Sequence, residues 1–157
     1  MQFVGETAGY NVQELPVTAE GETAFEYFSV DAKGNAEVPR SAIVRVDESA
    51  AVIAGLPERC RLWPPNKKLV RVADVTATDA VSGIQSLAVT ASSDARSDAG
   101  DVVVDGGRVW LRAERRERGR RRTYAIVATA TDVAGNAATA TAECVVRRRS
   151  PHRDRRR

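Results

Sequence analysis

The sequence has few of the residues on which most enzyme active sites depend. Its 157 residues include one histidine, His152, and two cysteines, and aromatic residues make up 5%. A histidine in the C-terminal tail cannot complete a Ser-His-Asp triad on a folded module. No Gly-rich phosphate loop, HExxH or CxxC motif is present. Counting aspartates does not exclude a pair of carboxylates of the kind that glycosidases use, but the sequence singles out no such pair. We therefore expect neither an enzyme nor a cofactor.

Long apolar runs are also absent. No stretch approaches the roughly 20 apolar residues that cross a bilayer. The N-terminal MQFVGETAGYN lacks the basic and apolar segments of a signal peptide. Hydrophobic residues make up 43% of the chain, and many are alanine and valine. Because small and β-branched side chains suit the space between two packed sheets, and no amphipathic helix is visible, the composition predicts an all-β chain.

A ten-residue motif occurs twice. YFSVDAKGNA, residues 27–36, recurs as ATATDVAGNA, residues 128–137, 101 positions later. In both copies a strand-like alternation leads into Asp-x-x-Gly-Asn-Ala, and a second strand-like segment follows. Two copies of one hairpin, about one sandwich domain apart, predict a chain built from repeated β modules.

The repeat and the spacing of turn signals divide the chain into four parts. Residues 1–48 are expected to be the C-terminal part of one module, because a seven-stranded sandwich needs about 100 residues. Residues 49–56 are expected to form a linker, residues 57–147 a complete module, and residues 148–157 a basic disordered tail. In the complete module, the pattern predicts a long strand over residues 69–78 with a bulge near Ala73.

Two segments of the second module resemble a known family. One is CRLWPPNKKLVRV, residues 60–72, which is followed by VTATD and by Ser82-Gly83. The other is RRRTYAIVATATDVAGNA, residues 120–137, and the hairpin that it opens ends at Cys144. Together they resemble bacterial extracellular immunoglobulin-like domains, the hyalin-repeat-like and related tandem modules. Lys67 stands where that family usually has a histidine.

The resemblance implies an immunoglobulin-like β-sandwich that acts as a non-catalytic spacer or adhesion element of a secreted or cell-surface bacterial protein. Neighbouring domains of a larger protein, and a polysaccharide or other surface polymer, are the partners it implies. The family's usual secretion signal is missing, as expected if the chain is a fragment or if its start is misplaced. The family has no catalytic residues to transfer. A carbohydrate- or polymer-binding module is one alternative function, and binding of nucleic acid or another polyanion through arginines is a second.

The two Asp-x-x-Gly-Asn motifs predict tight turns. Their residues are Asp31, Gly34 and Asn35 in the first copy and Asp132, Gly135 and Asn136 in the second. An Asp side chain accepts hydrogen bonds from nearby backbone N–H groups, and glycine adopts positive φ readily. A calcium site that includes Asp79 and Asp132 is the alternative. Because calcium takes six to eight oxygen ligands and the chain lacks a dedicated calcium loop, turn formation is favoured and no metal is expected.

The two cysteines, Cys60 and Cys144, lie near the two ends of the second module. A tetrahedral metal site needs four ligands, and a catalytic thiol needs a base, which the chain does not place nearby. A disulfide is therefore the favoured interpretation. It would join the first strand of the module to the last and close a loop of 84 residues.

The net charge of +3 is unevenly distributed. Residues 112–122 and residues 147–157 contain seven arginines each, whereas residues 1–111 have 10 basic and 16 acidic side chains. Arginines could bind a polyanion by counterion release, but solvated charge runs are common and the tail has no aromatic residue to stack on a base, so nucleic acid is disfavoured. The candidate contacts are Arg115, Arg116, Arg118, Arg120, Arg121 and Arg122.

Two further groups have a functional and a structural interpretation. Four carboxylates, at Asp94, Asp98, Asp101 and Asp105, are expected to form a solvated acidic loop. Trp63 and Trp110 would offer a sugar-binding platform if exposed, but both are expected to pack in the core.

Overall fold

The structure is a computed structural model that describes residues 16–95, 100–115 and 120–147. The chain divides into two compact units, Met1–Glu48 and Ser49–Arg157. Every regular element in the described ranges is a β-strand, which confirms the all-β prediction. In the same ranges, no helix has the length and apolar character needed to cross a membrane.

The first unit contains a hairpin of two strands, β1 (Gly21–Tyr27) and β2 (Arg40–Val46), paired antiparallel along their whole length. The alternating pattern of the sequence places Phe25 opposite Ala42 on one face. Glu22 and Arg45 are paired on the other face and form an ion pair of 2.6 Å. The first hairpin predicted by the repeat is confirmed.

The second unit contains nine strands in the described residues. They are β3 (Val52–Ala54), β4 (Cys60–Leu62), β5 (Leu69–Asp74), β6 (Thr76–Thr78), β7 (Ile84–Ser93), β8 (Val102–Asp105), β9 (Arg108–Arg112), β10 (Arg122–Asp132) and β11 (Ala137–Val146). One sheet has the order β4-β11-β10-β7, a second has the order β5-β9-β8, and β3 pairs with β6. All of these pairings are antiparallel except that of β4 with β11.

The core of the second unit contains side chains from both larger sheets. Along β10, every second residue from Arg122 to Asp132 is buried, as expected for a strand with one face turned inward. Ile126 from β10 and Leu111 from β9 belong to the same hydrophobic cluster and are fully buried. Two sheets that share one core are consistent with a β-sandwich.

The segment predicted as one long strand over residues 69–78 is divided at Val75. The predicted bulge is confirmed, because the register of β5 with β9 shifts between Arg71 and Ala73. Beyond Val75 the chain continues as β6 and pairs with β3. The N–H of Val75 donates a hydrogen bond to the carbonyl of Gly107 at 2.8 Å, at the point where the chain passes from β5 to β6.

Residues 49–56, which the sequence assigns to a linker, are instead part of the second unit. They contain β3, and Ala51 is buried while Ile53 and Leu56 pack against the core. Three residues are too few to show a recognisable alternation. β3 is a strand because it pairs with β6, which begins directly after the break at Val75.

Candidate functional site

Cys60 and Cys144 form the predicted disulfide, with their Cα atoms 4.4 Å apart. They lie directly opposite each other in the parallel pairing of β4 with β11. Cys144 is fully buried in the hydrophobic core. The bond therefore joins neighbouring strands of one sheet, and it closes a loop of 84 residues across the second unit.

The two repeated turns have the same hydrogen bonds. In the first, the Asn35 side chain donates to Asp31 Oδ2 at 2.8 Å and the Asn35 N–H donates to Oδ1 at 2.9 Å. In the second, Asn136 makes the corresponding bonds to Asp132 at 2.9 and 2.8 Å. The side-chain hydrogen bond from Asn35 lowers the pKa of Asp31. The sequence analysis placed both asparagines in the turns but did not predict their hydrogen bonds to the aspartate side chains, although Asp and Asn lie four positions apart in both copies.

Both glycines of these turns have positive φ, 87° at Gly34 and 99° at Gly135. A β-carbon is disfavoured in that conformation, which explains why glycine occupies the same place in each copy. The hydrogen bonds and these φ values account for the motif as a turn.

Asp79 lies beside the second turn, and one of its carboxylate oxygens is within 4.8 Å of one from Asp132. Oδ1 of Asp79 accepts hydrogen bonds from the backbone N–H groups of Val81, Ser82 and Gly83. The bond from Gly83 makes the largest contribution to lowering the pKa of Asp79. Because these oxygens already stabilise turns and calcium requires six to eight, the pair by itself assigns no calcium site.

The prediction of a solvated acidic loop is wrong for Asp101, which is buried. Its residue exposure is 3%. Arg112 Nε lies 2.7 Å from one carboxylate oxygen and Arg122 Nη2 lies 2.8 Å from the other. Asp94 is also engaged, since Oδ1 accepts the N–H of Thr123 at 3.0 Å. Asp105 is exposed, and Asp98 lies outside the described residues.

Arg122 is not available for a polyanion, contrary to its place among the candidate contacts. It is 3% exposed, donates to Ser93 Oγ at 2.9 Å, and lies 4.8 Å from the centre of the Tyr124 ring. The Tyr124 hydroxyl donates to the carbonyl of Arg112 at 2.9 Å, and burial raises the pKa of Tyr124 to about 12. Arg122 is the first residue of β10 and points inward with the other even-numbered positions, so its charge is neutralised inside the module.

The remaining candidate arginines differ in exposure. Arg120 and Arg121 are exposed, and Arg115 is partly buried. Arg116 and Arg118 lie outside the described residues, as does the basic tail at residues 148–157. Of the six candidate contacts, Arg120 and Arg121 are therefore the two that the structure shows exposed.

The structure corrects the placement of Trp63. Its exposure is 49%, so it does not pack in the core as expected. Trp110 is half-buried, between the fully buried Val109 and Leu111 of β9, and thus points to the outer face of its sheet. The prolines after Trp63 fix the local backbone, but they do not determine what covers the indole ring.

The chain was compared with protein-family models and with curated proteins. No family model matches it, and no curated protein is significantly similar. Assignment of a function therefore depends on the geometry described above.

Proposed function

We propose that this chain is a non-catalytic, immunoglobulin-like spacer or adhesion module of a secreted or cell-surface bacterial protein, linked to neighbouring domains. The observation that carries the proposal is the position of the disulfide. It ties β4, near the beginning of the second unit, to β11, near its end.

The strand order supports the immunoglobulin-like assignment. In such domains, strands A, B, E and D form one sheet and C, F and G the other. If β5, β9 and β8 are B, E and D, then β7, β10 and β11 are C, F and G, in the order that the sheets have. β4 then corresponds to the half of strand A that pairs with G, and β3 to the half that pairs with β6, the continuation of B beyond Val75. The Tyr124 hydrogen bond to an upstream carbonyl resembles the tyrosine corner of these folds.

The disulfide gives such a module a mechanical property that a spacer needs. When the chain is pulled from both sides of the unit, the force passes from Cys60 to Cys144 through the sulfur atoms. The residues between them, which include β5 to β10, then carry no load. The module keeps its length even if its hydrogen bonds open.

Single-molecule force spectroscopy on the full chain between two marker domains tests this proposal. A chain extends by up to 3.3–3.6 Å per residue, so a loop of 84 residues would add about 280–300 Å when released. We expect this step in the Cys60→Ser/Cys144→Ser variant and under reducing conditions, but not in the oxidised protein. A step of this length in the oxidised protein would contradict the proposal.

The exposure of Trp63 favours a second candidate function, binding of a surface polysaccharide. A tryptophan that is 49% exposed offers aromatic surface for a sugar ring to pack against. Retention of the chain on insoluble polysaccharides, compared between wild type and Trp63→Ala, tests this function. Trp110→Ala is the matched control because Trp110 is less exposed. Equal retention of all three proteins, or none by wild type, would reject a role for Trp63.

A further inference from the structure

Strand β7 lies at one edge of its sheet. It ends the four-stranded sheet, and among the described residues no strand pairs with its outer side. Its ten residues, IQSLAVTASS, include no charged residue and no proline. Proteins usually protect edges with charges, prolines or short strands. The opposite edge, β4, follows this rule because it has three residues and two prolines soon after it.

The pairing with β10 shows which backbone groups point outward. The N–H of Asp94 donates to the carbonyl of Thr123, so these two residues occupy a hydrogen-bonded position of the antiparallel ladder. Such positions alternate along a strand. Thr90 and Ala88 therefore bond to β10, whereas the N–H and C=O groups of the odd-numbered residues between 85 and 93 point away from it.

The same odd-numbered positions carry the inward side chains of β7. Leu87 and Val89 are only partly buried, although Ala130 and Ala128, which lie opposite them on β10, are fully buried. In the described residues no strand pairs with the outer side of β7, and part of this apolar row stays in contact with water. An added strand would bury these side chains and pair the outward backbone groups.

We propose that the added strand is β7 of a second copy of this chain, related by a twofold axis at Val89. An antiparallel pair centred there places Leu87 opposite Ala91 of the other copy on the inner face and Ser86 opposite Ser92 on the outer face. The side chains of β7 in one copy face the same uncharged side chains in the other copy, so no like charges lie opposite each other. The pairing extends the existing order β4-β11-β10-β7 into a sheet of eight strands.

The dimer is expected to be weak. Nine residues from each copy overlap in this register, and a single strand pair buries less than the roughly 1,200 Å² of the smallest stable interfaces. Association should therefore depend on concentration, as suits contacts made between many copies on one surface.

Charged pairs on the outer face test both the partner and the register. Ser86 and Ser92 are exposed, so lysine or glutamate at either position should leave the fold intact. In the proposed register, residue 86 of each copy faces residue 92 of the other. The Ser86→Lys/Ser92→Lys variant therefore places two pairs of like charges opposite each other, whereas Ser86→Lys/Ser92→Glu places two pairs of unlike charges opposite each other. Sedimentation velocity over roughly a hundredfold range of concentration should show at least tenfold weaker association for the first variant, with wild-type association or better for the second.

A proline tests the backbone hydrogen bonds separately. The N–H of Ala91 points away from β10, so Ala91→Pro removes an outward donor and keeps the ladder, as edge strands allow. We expect it to sediment as a monomer with an unchanged circular dichroism spectrum; should it fail to fold, the charge variants still decide the question. If the wild-type protein stays monomeric over the whole concentration range, the proposal is overturned, and a different protein would be the partner of this edge. A dimer that is equally strong in both charge variants also overturns the proposal.

Discussion

Two adjacent glycines, Gly106 and Gly107, allow the break at Val75 to be tested with a matched pair of substitutions. A β-carbon at Gly107 would lie 2.0 Å from the carbonyl oxygen of Val75 and 3.1 Å from its carbonyl carbon. A β-carbon at Gly106 would meet nothing within 4 Å, although φ is +57°. Alanine at Gly107 thus tests close packing, and alanine at Gly106 tests backbone conformation alone.

The expected magnitudes differ clearly. Alanine at Gly107 must push the backbone of Val75 away by more than an ångström, which breaks the 2.8 Å hydrogen bond from its N–H. Loss of that bond costs about 1 kcal/mol, and overpacking adds roughly 2 kcal/mol, so the free energy of unfolding should fall by about 3 kcal/mol. Gly106→Ala should cost only about 1 kcal/mol, the penalty of a left-handed residue.

Urea denaturation of the oxidised protein, followed by tryptophan fluorescence, measures both effects. With a slope of about 2 kcal/mol/M, Gly107→Ala should lower the midpoint by about 1.5 M and Gly106→Ala by about 0.5 M. If Gly107→Ala is no less stable than Gly106→Ala, the close approach of these two backbone segments does not hold the break in place.

Two other predictions concern the buried polar cluster. Asp101→Asn should lower the free energy of unfolding by about 3 kcal/mol, because it leaves the buried cation of Arg122 without its counter-charge; exposed Asp105→Asn, the control in the same denaturation experiment, should have little effect, and equal losses would contradict this role. Burial raises the pKa of Tyr124 to about 12, whereas a tyrosine in the unfolded chain ionises at about pH 10. The contribution of Tyr124 to the free energy of unfolding should therefore be complete below about pH 10. As the pH rises from about 10 to 12, the unfolded state binds fewer protons than the folded state, so stability falls. Tyr124→Phe should remove this part of the alkaline slope in denaturation curves measured at each pH, and an unchanged slope would refute it.

Features encoded within a few neighbouring residues could be read directly from the chain. The alternation around Phe25 and along residues 124–131 predicted strands that the structure contains. Asp-x-x-Gly-Asn predicted two turns because the aspartate, the glycine and their partners lie within five residues. The disulfide followed from the shortage of other partners for two cysteines.

Other features required partners that are distant in sequence. Arg122 looked like one more arginine of a basic loop until the fold placed Asp101, 21 residues away, within 2.8 Å of it. Trp63 is 49% exposed, which the two prolines beside it in the sequence did not indicate. The three residues of β3 form a strand because β6 is there to pair with them. Local patterns specify which way a side chain points along a strand, whereas burial depends on what packs against that side, and only the assembled sheets decide that.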